Sequence, residues 1–394
     1  MPRPDAPQVI SLGCRLNLSE SEQIRAMLGG ESNVIVVNSC AVTSEAVRQT
    51  RQAIRRARKE RPEARLLVTG CAADIEREAL SAMPEVDGII PNTRKLDTRA
   101  WNVPASAPPV LSGHTRAFVA VQNGCDHACT FCVIPQGRGP SRSLSIAQVL
   151  GEISRFMDRG APEIVLTGVD VTSWGHDLPG APALGTLVAA ILQEFPQLKR
   201  LRMSSLDGVE IDPLLAELFI TETRVMPHLH LSLQHGDDMI LKRMKRRHLR
   251  ADAVKLVTRL RSARPDLALG ADLMAGFPTE TDAMHAANFS IIEELSIVHG
   301  HIFPYSPRPK TPAARMPQIE RPIIRQRAAQ LRAEVARVRG NWLDGLVGTP
   351  LEILAEKDGT GYSPDFARVA VPDGVPAGSI LTITPTGHEK GLLT

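Results

Sequence analysis

Residues 116–135 read Arg116-Ala-Phe-Val-Ala-Val-Gln-Asn-Gly-Cys-Asp-His-Ala-Cys-Thr-Phe-Cys-Val-Ile-Pro135, an apolar stretch that runs straight into three cysteines spaced C-x3-C-x2-C. Ala117 to Val121 has the pattern of a short buried strand, so Cys125, Cys129 and Cys132 are expected on the loop leaving its carboxyl end. Downstream the pattern recurs. Strand candidates at Glu163 to Thr167, Arg200 to Ser204, His228 to Leu233, Leu267 to Leu273 and His299 to Phe303 alternate with helical patterns such as Ser145 to Arg159 and Asp282 to Leu295. Such βα repeats predict an incomplete (β/α)6 barrel, with its chemistry on the loops at the strands' carboxyl ends.

Upstream, Val9 to Leu12, Val34 to Val37 and Leu66 to Thr69 read as buried parallel strands separated by the helical stretches Ser19 to Leu28 and Ser44 to Lys59. A cysteine follows each strand within three residues, in Gly13-Cys14, Asn38-Ser39-Cys40 and Gly70-Cys71. The carboxyl ends of parallel strands share one sheet edge, where such folds bind ligands, so these three cysteines are predicted to converge. Val103 to Ser112, rich in Pro, Ala and Ser, reads as a linker. A helix over Arg321 to Leu343 leads to a tail in which Leu351 to Ala355, Ala367 to Val371 and Ser379 to Thr384 look like strands of a small antiparallel β-domain. A core of about fifty residues is marginal alone, so the tail is expected to pack on its neighbours. The class is α/β: a parallel-sheet domain over residues 1–102, a linker over 103–112, a barrel over 113–340 and a β-domain over 341–394.

The chain has 394 residues and 43% hydrophobic content, enough for several domains. No apolar run approaches the roughly 18 residues of a membrane helix, and Met1 to Leu12 lacks the pattern of a secretion signal, so a cytoplasmic protein without membrane contact is expected. In a reducing compartment six cysteines point to metal binding or catalysis before disulfides. With 46 basic against 43 acidic residues the net charge is only +3, and overall charge says little about partners. Locally, Arg48 to Arg65 and the run KRMKRRHLR over Lys242 to Arg250 are basic enough either to meet a phosphate backbone or to form solvated helix faces.

Iron-sulfur clusters are usually held by four thiolates. Three closely spaced ones without a fourth nearby suggest a four-iron cluster with one iron open to another ligand, while Gly124 permits an unusual backbone angle and Phe131 shields the loop. The alternative is a zinc tetrahedron completed by His127 or His114, although the paired knuckles usual in such sites are missing.

With an aromatic residue before its last cysteine, this loop resembles the hallmark of the radical S-adenosylmethionine (SAM) superfamily. The resemblance implies that Cys125, Cys129 and Cys132 hold a 4Fe-4S cluster whose open iron binds SAM, and that reductive cleavage yields a 5′-deoxyadenosyl radical. Over nearly its whole length the chain is similar to the methylthiotransferases: Ser11-Leu-Gly-Cys-Arg-Leu-Asn17, Val37-Asn-Ser-Cys-Ala-Val-Thr43, Thr69-Gly-Cys-Ala72, the radical loop, and a tail like that family's RNA-binding TRAM β-barrel. This implies a second 4Fe-4S cluster at Cys14, Cys40 and Cys71 that carries the sulfur to be methylated and inserted, and a low-potential electron donor.

Thr167, Gly168 and Asp170, then Arg202, Ser204 and Ser205, then Gln234 and His235, and Asp272 are the polar residues at the other strand ends, placed to line a SAM site. By resemblance, Leu166-Thr-Gly168 matches a segment that meets the methionine amino group, and Leu233-Gln-His-Gly236 a cofactor-side motif. Arg116 to Asp126, Ile134-Pro-Gln-Gly-Arg-Gly139, Ser141-Arg-Ser143 and His301-Ile-Phe-Pro-Tyr-Ser-Pro-Arg308 look most like the branch acting on N6-threonylcarbamoyladenosine at position 37 of tRNA. That implies 2-methylthio-N6-threonylcarbamoyladenosine as the product. Another tRNA adenosine, such as isopentenyladenosine, and a ribosomal-protein aspartate are the alternative substrates, and a noncatalytic RNA-binding iron-sulfur or zinc protein is the alternative of a different class. Oligomeric state is not legible.

Overall fold

Four strands, β1 (Gln8–Ser11), β2 (Val34–Ser39), β3 (Arg65–Gly70) and β4 (Gly88–Ile89), pair in parallel in that order. In this computed structural model, which describes residues 6–103 and 115–394, they form the core of one of two compact units. β2 is buried along its whole length, as its unbroken Val-Ile-Val-Val run requires of a central parallel strand. Helices α1 (Arg15–Met27) and α2 (Ser44–Glu60) follow β1 and β2; Thr43 caps α2 by accepting from the Ala46 amide. After β3 come the short helices α3 (Cys71–Ile75) and α4 (Arg77–Ser81). The expected strands and helices appear with their ends moved by a few residues; β4, only two residues long, was too short to leave a periodic signal. The same unit takes in Asn123–Arg142, the segment with the C-x3-C-x2-C loop and helix α5 (Ile134–Arg138), and Ser306–Ala314. Most of the expected linker, residues 104–112, and His114 lie outside the described residues.

The second unit is the barrel with the tail. Short strands β6 (Gln122–Asn123) and β7 (Arg142–Ser143) flank the cysteine segment in sequence, after β5 (Arg116–Ala120). Strands β5, β8 (Glu163–Thr167) and β9 (Arg200–Met203) form one parallel sheet, and β10 (His228–Gln234), β11 (Ala268–Ala275) and β12 (Ile297–Pro304) another. Parallel bridges Leu201 to Val225 and Leu206 to Leu231 join the two into a curved six-stranded wall, the incomplete barrel that the repeats predicted. Its outer layer is α6 (Ile146–Met157), α7 (Leu184–Glu194), α8 (Pro213–Thr221), α9 (Asp238–Arg243), α10 (Arg250–Ala263), α11 (Asp282–Glu294) and α12 (Arg321–Asp344). One large apolar cluster between wall and helices, including Val119, Leu166, Trp174, Leu201, Leu229, Leu269 and Ile297, holds this unit together.

In the tail, β13 (Leu351–Ala355), β14 (Thr360–Tyr362), β15 (Arg368–Ala370), β16 (Ile380–Ile383), β17 (His388–Glu389) and β18 (Leu392–Leu393) form a sheet ordered β16-β13-β14-β15-β18-β17. It departs from the expected all-antiparallel arrangement in one place, where β15 and β18 pair in parallel through Val369 and Leu393. The tail packs on the amino-terminal end of the barrel. Arg200 donates to the carbonyls of Tyr362 at 3.0 Å and Glu352 at 2.9 Å. Arg116 pairs with Glu356 at 2.8 Å, and its guanidinium lies 4.7 Å from the Tyr362 ring centre. Phe366 stacks on Tyr362 at 4.6 Å and on His228 at 4.9 Å, with Arg202 4.7 Å above its ring.

His299 is enclosed there by the rings of Trp342 and His228, at 5.1 and 5.2 Å. Burial, reinforced by the charge of Arg339, lowers its pKa from the ordinary 6.5 to about 3. A histidine depressed in this way takes up its proton more readily when the chain is unfolded. Its contribution to stability is therefore complete above about pH 6.5 and is lost as pH falls toward 3. The thermal midpoint should fall between about pH 7.5 and 5.5, and fall less in His299→Gln; equal pH slopes in the two proteins would remove His299 from the explanation.

Candidate functional site

The three N-terminal cysteines stand where β1, β2 and β3 end. Cys14 is the residue before α1, Cys40 follows β2, and Cys71 opens α3. Cys14 is exposed; Cys40 and Cys71 are buried. The chain turns tightly at Gly13, whose φ is +92° and where a Cβ would lie 2.7 Å from the Cys40 Cβ and 2.8 Å from its Sγ. Side chains also tie the strand ends together. Asn17 donates to the Leu12 carbonyl at 2.7 Å and the Ser39 carbonyl at 2.9 Å, and the Ser39 hydroxyl donates to the Thr69 carbonyl at 2.5 Å.

The three strand ends thus lie along one sheet edge, tied together by these contacts. Burial pushes the Cys40 thiol up to about 11, a backbone hydrogen bond from Val42 opposes this, and Cys71 and Cys14 raise it further. Cys71 is likewise raised by burial, against the lowering effect of the Arg138 and Lys95 charges. Thiols that resist ionisation unaided are poor free nucleophiles, but a bound metal deprotonates them outright. A donor set of three thiols gathered at one sheet edge fits a cluster with one iron left open.

Cys125, Cys129 and Cys132 share one loop of the same unit and are half-buried. The loop is pinned by its backbone: the Cys125 amide donates to the Gly139 carbonyl at 3.1 Å, and the Cys132 amide to the Cys129 carbonyl at 3.2 Å. The Ile134 amide donates to the Cys132 sulfur at 3.4 Å. At Gly124, φ is +79° and a Cβ would come within 1.9 Å of the Pro140 carbonyl oxygen, so no other residue fits. Three thiols on one loop also fit a cluster held by three protein ligands.

In the second unit the strand-end residues behave differently from one another. Asp170 accepts from the Ser173 hydroxyl at 2.7 Å, and its amide, like that of Val169, donates to Gln122 Oε1. Thr167 is buried, and a Cβ at Gly168 would sit 2.9 Å from the Gln122 carbonyl, so backbone crosses closely there. The Ser204 amide donates to the Leu166 carbonyl. Gln234 ends β10 after a register shift with φ at +72°, a left-handed conformation rarely adopted without glycine. Asp272 lies 3.2 Å from His230 Nε2 and 3.3 Å from His301 Nδ1, and the Ser205 hydroxyl donates to it at 3.5 Å. Although burial opposes it, these histidines hold the Asp272 carboxyl well below the usual carboxylate range. These polar groups of β8 to β11 share the strands' carboxyl ends.

Arg202 is the exception. Its guanidinium pairs with Glu163 at the amino-terminal start of β8, 3.0 Å away, and donates to the Pro364 carbonyl at 3.0 Å. Register explains this: Arg202 lies opposite Val165, one pair short of the strand's end, and its long side chain folds back toward the floor of the barrel. His235 is fully buried, holds the Asp237 amide on its Nδ1 and faces Glu280 at 3.5 Å, a structural arrangement at the start of α9.

Many arginines of the two basic runs have intramolecular partners: Arg51 with Glu76, Arg58 with Asp87, Arg246 and Arg247 with Asp207, and Arg250 with Glu294. Sequence reasoning missed Glu20 and Lys95, which lie deep beside the first trio, and took Arg138 only as part of a resemblance. A glutamate within Ser-Glu-Ser-Glu and a lysine in Arg94-Lys-Leu carry no local signal of burial.

The radical SAM superfamily model matches residues 119–289, and a model described as uncharacterized protein family UPF0004 matches residues 7–91. The chain is 41% identical to the threonylcarbamoyladenosine tRNA methylthiotransferase MtaB of Rickettsia prowazekii, over 98% of this chain and 96% of that protein. It is 31% identical to the tRNA-2-methylthio-N(6)-dimethylallyladenosine synthase of Erythrobacter litoralis, over 96% and 94% of the two chains. Among solved structures, the radical SAM methyltransferase TsrM from Kitasatospora setae matches with a TM-score of 0.54 at 15% identity, covering 75% of this chain and 68% of that one. At that identity the likeness speaks for the fold alone.

Proposed function

The chain belongs to the radical SAM methylthiotransferases that act on tRNA, and from that premise we propose that it converts N6-threonylcarbamoyladenosine at position 37 of tRNA to its 2-methylthio derivative, using two 4Fe-4S clusters. The observation that carries this choice of substrate is the full-length likeness, at 41%, to an enzyme named for that nucleoside, against 31% to one named for the dimethylallyl nucleoside. In this reading Cys125, Cys129 and Cys132 hold the SAM-binding cluster, and Cys14, Cys40 and Cys71 the second one. When bound, the clusters supply the electron that cleaves SAM and the sulfur that becomes the methylthio group.

The chain's own residues orient the reactants. Thr167, Gly168 and Asp170, with Ser204, Gln234 and Asp272, form the polar rim at the strands' carboxyl ends where SAM is held; Asp272, kept anionic by His230 and His301, is the natural acceptor for its hydroxyl or amino donors. Arg202, turned to the barrel floor, acts on this site only through the fold. Residues 1–102 supply the sulfur-carrying domain and 341–394 a TRAM-like tail, while the barrel region over 113–340 lends segments 123–142 and 306–314 to the first compact unit. The exposed cations of the basic runs and the tail meet the tRNA backbone, where phosphate contacts give affinity with little sequence demand. A low-potential electron donor completes the reaction, in the cytoplasm where tRNA is found. Among the described residues, no helix is long and apolar enough to cross a membrane.

Mass spectrometry of tRNA nucleosides from cells with and without the gene tests the substrate. Deletion should remove the 2-methylthio form and leave unmodified N6-threonylcarbamoyladenosine in its place. Loss of a methylthiolated isopentenyladenosine instead would reassign the nucleoside, and an unchanged tRNA profile would turn attention to a ribosomal protein.

A further inference from the structure

Three charged side chains are buried together in the first unit. Glu20, Lys95 and Arg138 are 1%, 1% and 2% exposed. Lys95 Nζ stands 2.5 Å from Glu20 Oε2, and Arg138 donates to both carboxylate oxygens, at 2.9 and 3.1 Å. Around them are neutral amides: Arg138 donates to Asn17 Oδ1 at 2.6 Å and to Asn123 Oδ1 at 2.8 Å, and Lys95 lies 3.4 Å from Asn38 Oδ1. Two cationic side chains share one carboxylate in a place sealed from water; burial and the Arg138 charge hold the Lys95 ammonium below its ordinary range against the pull of Glu20, so its charged form is short of negative partners. An uncompensated buried charge is costly, and its persistence asks for a negative partner. The thiols at the ends of β1, β2 and β3 are groups of this unit able to become negative. Arg138 holds Asn17, whose own amide donates to the Leu12 and Ser39 carbonyls beside Cys14 and Cys40, and the charges of Arg138 and Lys95 both act on Cys71. Gly137 allows a close approach, since a Cβ there would sit 3.3 Å from the Cys71 Cα and Cβ.

We infer that Lys95 and Arg138, held in place by Glu20, are positioning residues that serve as the built-in counter-charge of the cluster at Cys14, Cys40 and Cys71. This rests on the two-cluster reading above. Three thiolates outweigh the charge of the iron-sulfur core they bind, and adding an electron or an anionic sulfur at the open iron makes the assembly more negative. In a low-dielectric site a fixed cation lowers the energy of each such state, and net charge and hydrogen bonds to sulfur are what set cluster potentials. Arg138 stands on α5, which begins just after Cys132 and whose Gly137 approaches Cys71. One short segment thus carries the last cysteine of one trio and the counter-charge of the other.

The test uses full-length protein in which Cys125, Cys129 and Cys132 are all replaced by alanine, reconstituted with iron and sulfide so that only the second site loads. About four irons per chain shows that it does, and a redox titration followed by electron paramagnetic resonance gives its potential. Adding Arg138→Gln or Lys95→Met should move the potential to more negative values, and Glu20→Gln to more positive ones, while Arg138→Lys stays near the parent. A scaffolding role would not produce opposite signs. Shifts of one sign, unchanged potentials in loaded variants, or loss of iron in every variant overturn the counter-charge; a parent that binds no iron defeats the two-cluster reading instead.

Discussion

Cys125→Ala is expected to abolish both SAM cleavage and methylthiolation, whereas Cys71→Ala should abolish methylthiolation and leave SAM cleavage running. The difference follows from which trio is cut. The Cys125 loop leaves the first barrel strand; its Cys125 amide is held by the Gly139 carbonyl, and its half-buried Cys132 sulfur accepts from the Ile134 amide. Removing one thiolate takes away a third of the protein's hold on the cluster, and the electron-transfer step goes with it. Cys71 stands at the end of β3 among buried side chains. Alanine there deletes a sulfur and leaves the close packing around Gly137 in place, so the fold should survive with its thermal midpoint near that of the parent. Product nucleosides should then fall to the level of a no-enzyme control, while 5′-deoxyadenosine still accumulates. Cys14→Ala and Cys40→Ala should behave alike. Methylthiolated RNA from any of these three variants would disprove the sulfur-carrying role of that trio.

The second large effect concerns stability. Arg202→Met should destabilise the unit of barrel and tail by about 3–5 kcal/mol, the usual consequence of stranding one member of a buried ion pair. Both Arg202 and Glu163 are almost wholly inaccessible, and the pair spans 3.0 Å. Burial would raise the Glu163 carboxyl, but the facing Arg202 guanidinium keeps it below the ordinary carboxylate value. The variant also forfeits the bond to the Pro364 carbonyl and the contact with the Phe366 ring. Thermal unfolding reads the loss, and the double variant Arg202→Met/Glu163→Gln should recover part of it, because the stranded charge is gone. A single variant of nearly parental stability but raised KM for SAM would show that Arg202 belongs to the substrate site after all.

Strand and helix positions were legible in the sequence because burial on both faces of a parallel strand forces unbroken apolar runs such as Val34 to Val37, and amphipathic helices between them repeat near every fourth residue. The gathering of Cys125, Cys129 and Cys132 on one loop was legible for a different reason: these cysteines are neighbours along the chain, so spacing and geometry are nearly the same thing. The Cys14, Cys40 and Cys71 trio needed the added step of parallel-sheet topology, which brings successive strand ends to one edge. The two-residue β4 and the parallel pairing of β15 with β18 escaped, because both depend on which backbone happens to lie alongside.

Charge was the least legible property. Arg202, read as one of several polar residues at strand ends, points to the floor; several arginines of both basic runs are taken up by carboxylates distant in sequence, such as Asp87 for Arg58 and Glu294 for Arg250. Composition and periodicity were enough to establish the α/β class, the six-stranded wall and the identity of the thiols, since these rest on local patterns that any window of the chain contains. That Glu20, Lys95 and Arg138 meet, two cationic side chains to one carboxylate, is a matter of distances across many residues, and burial, pairing and the local dielectric exist only once the chain has closed around them.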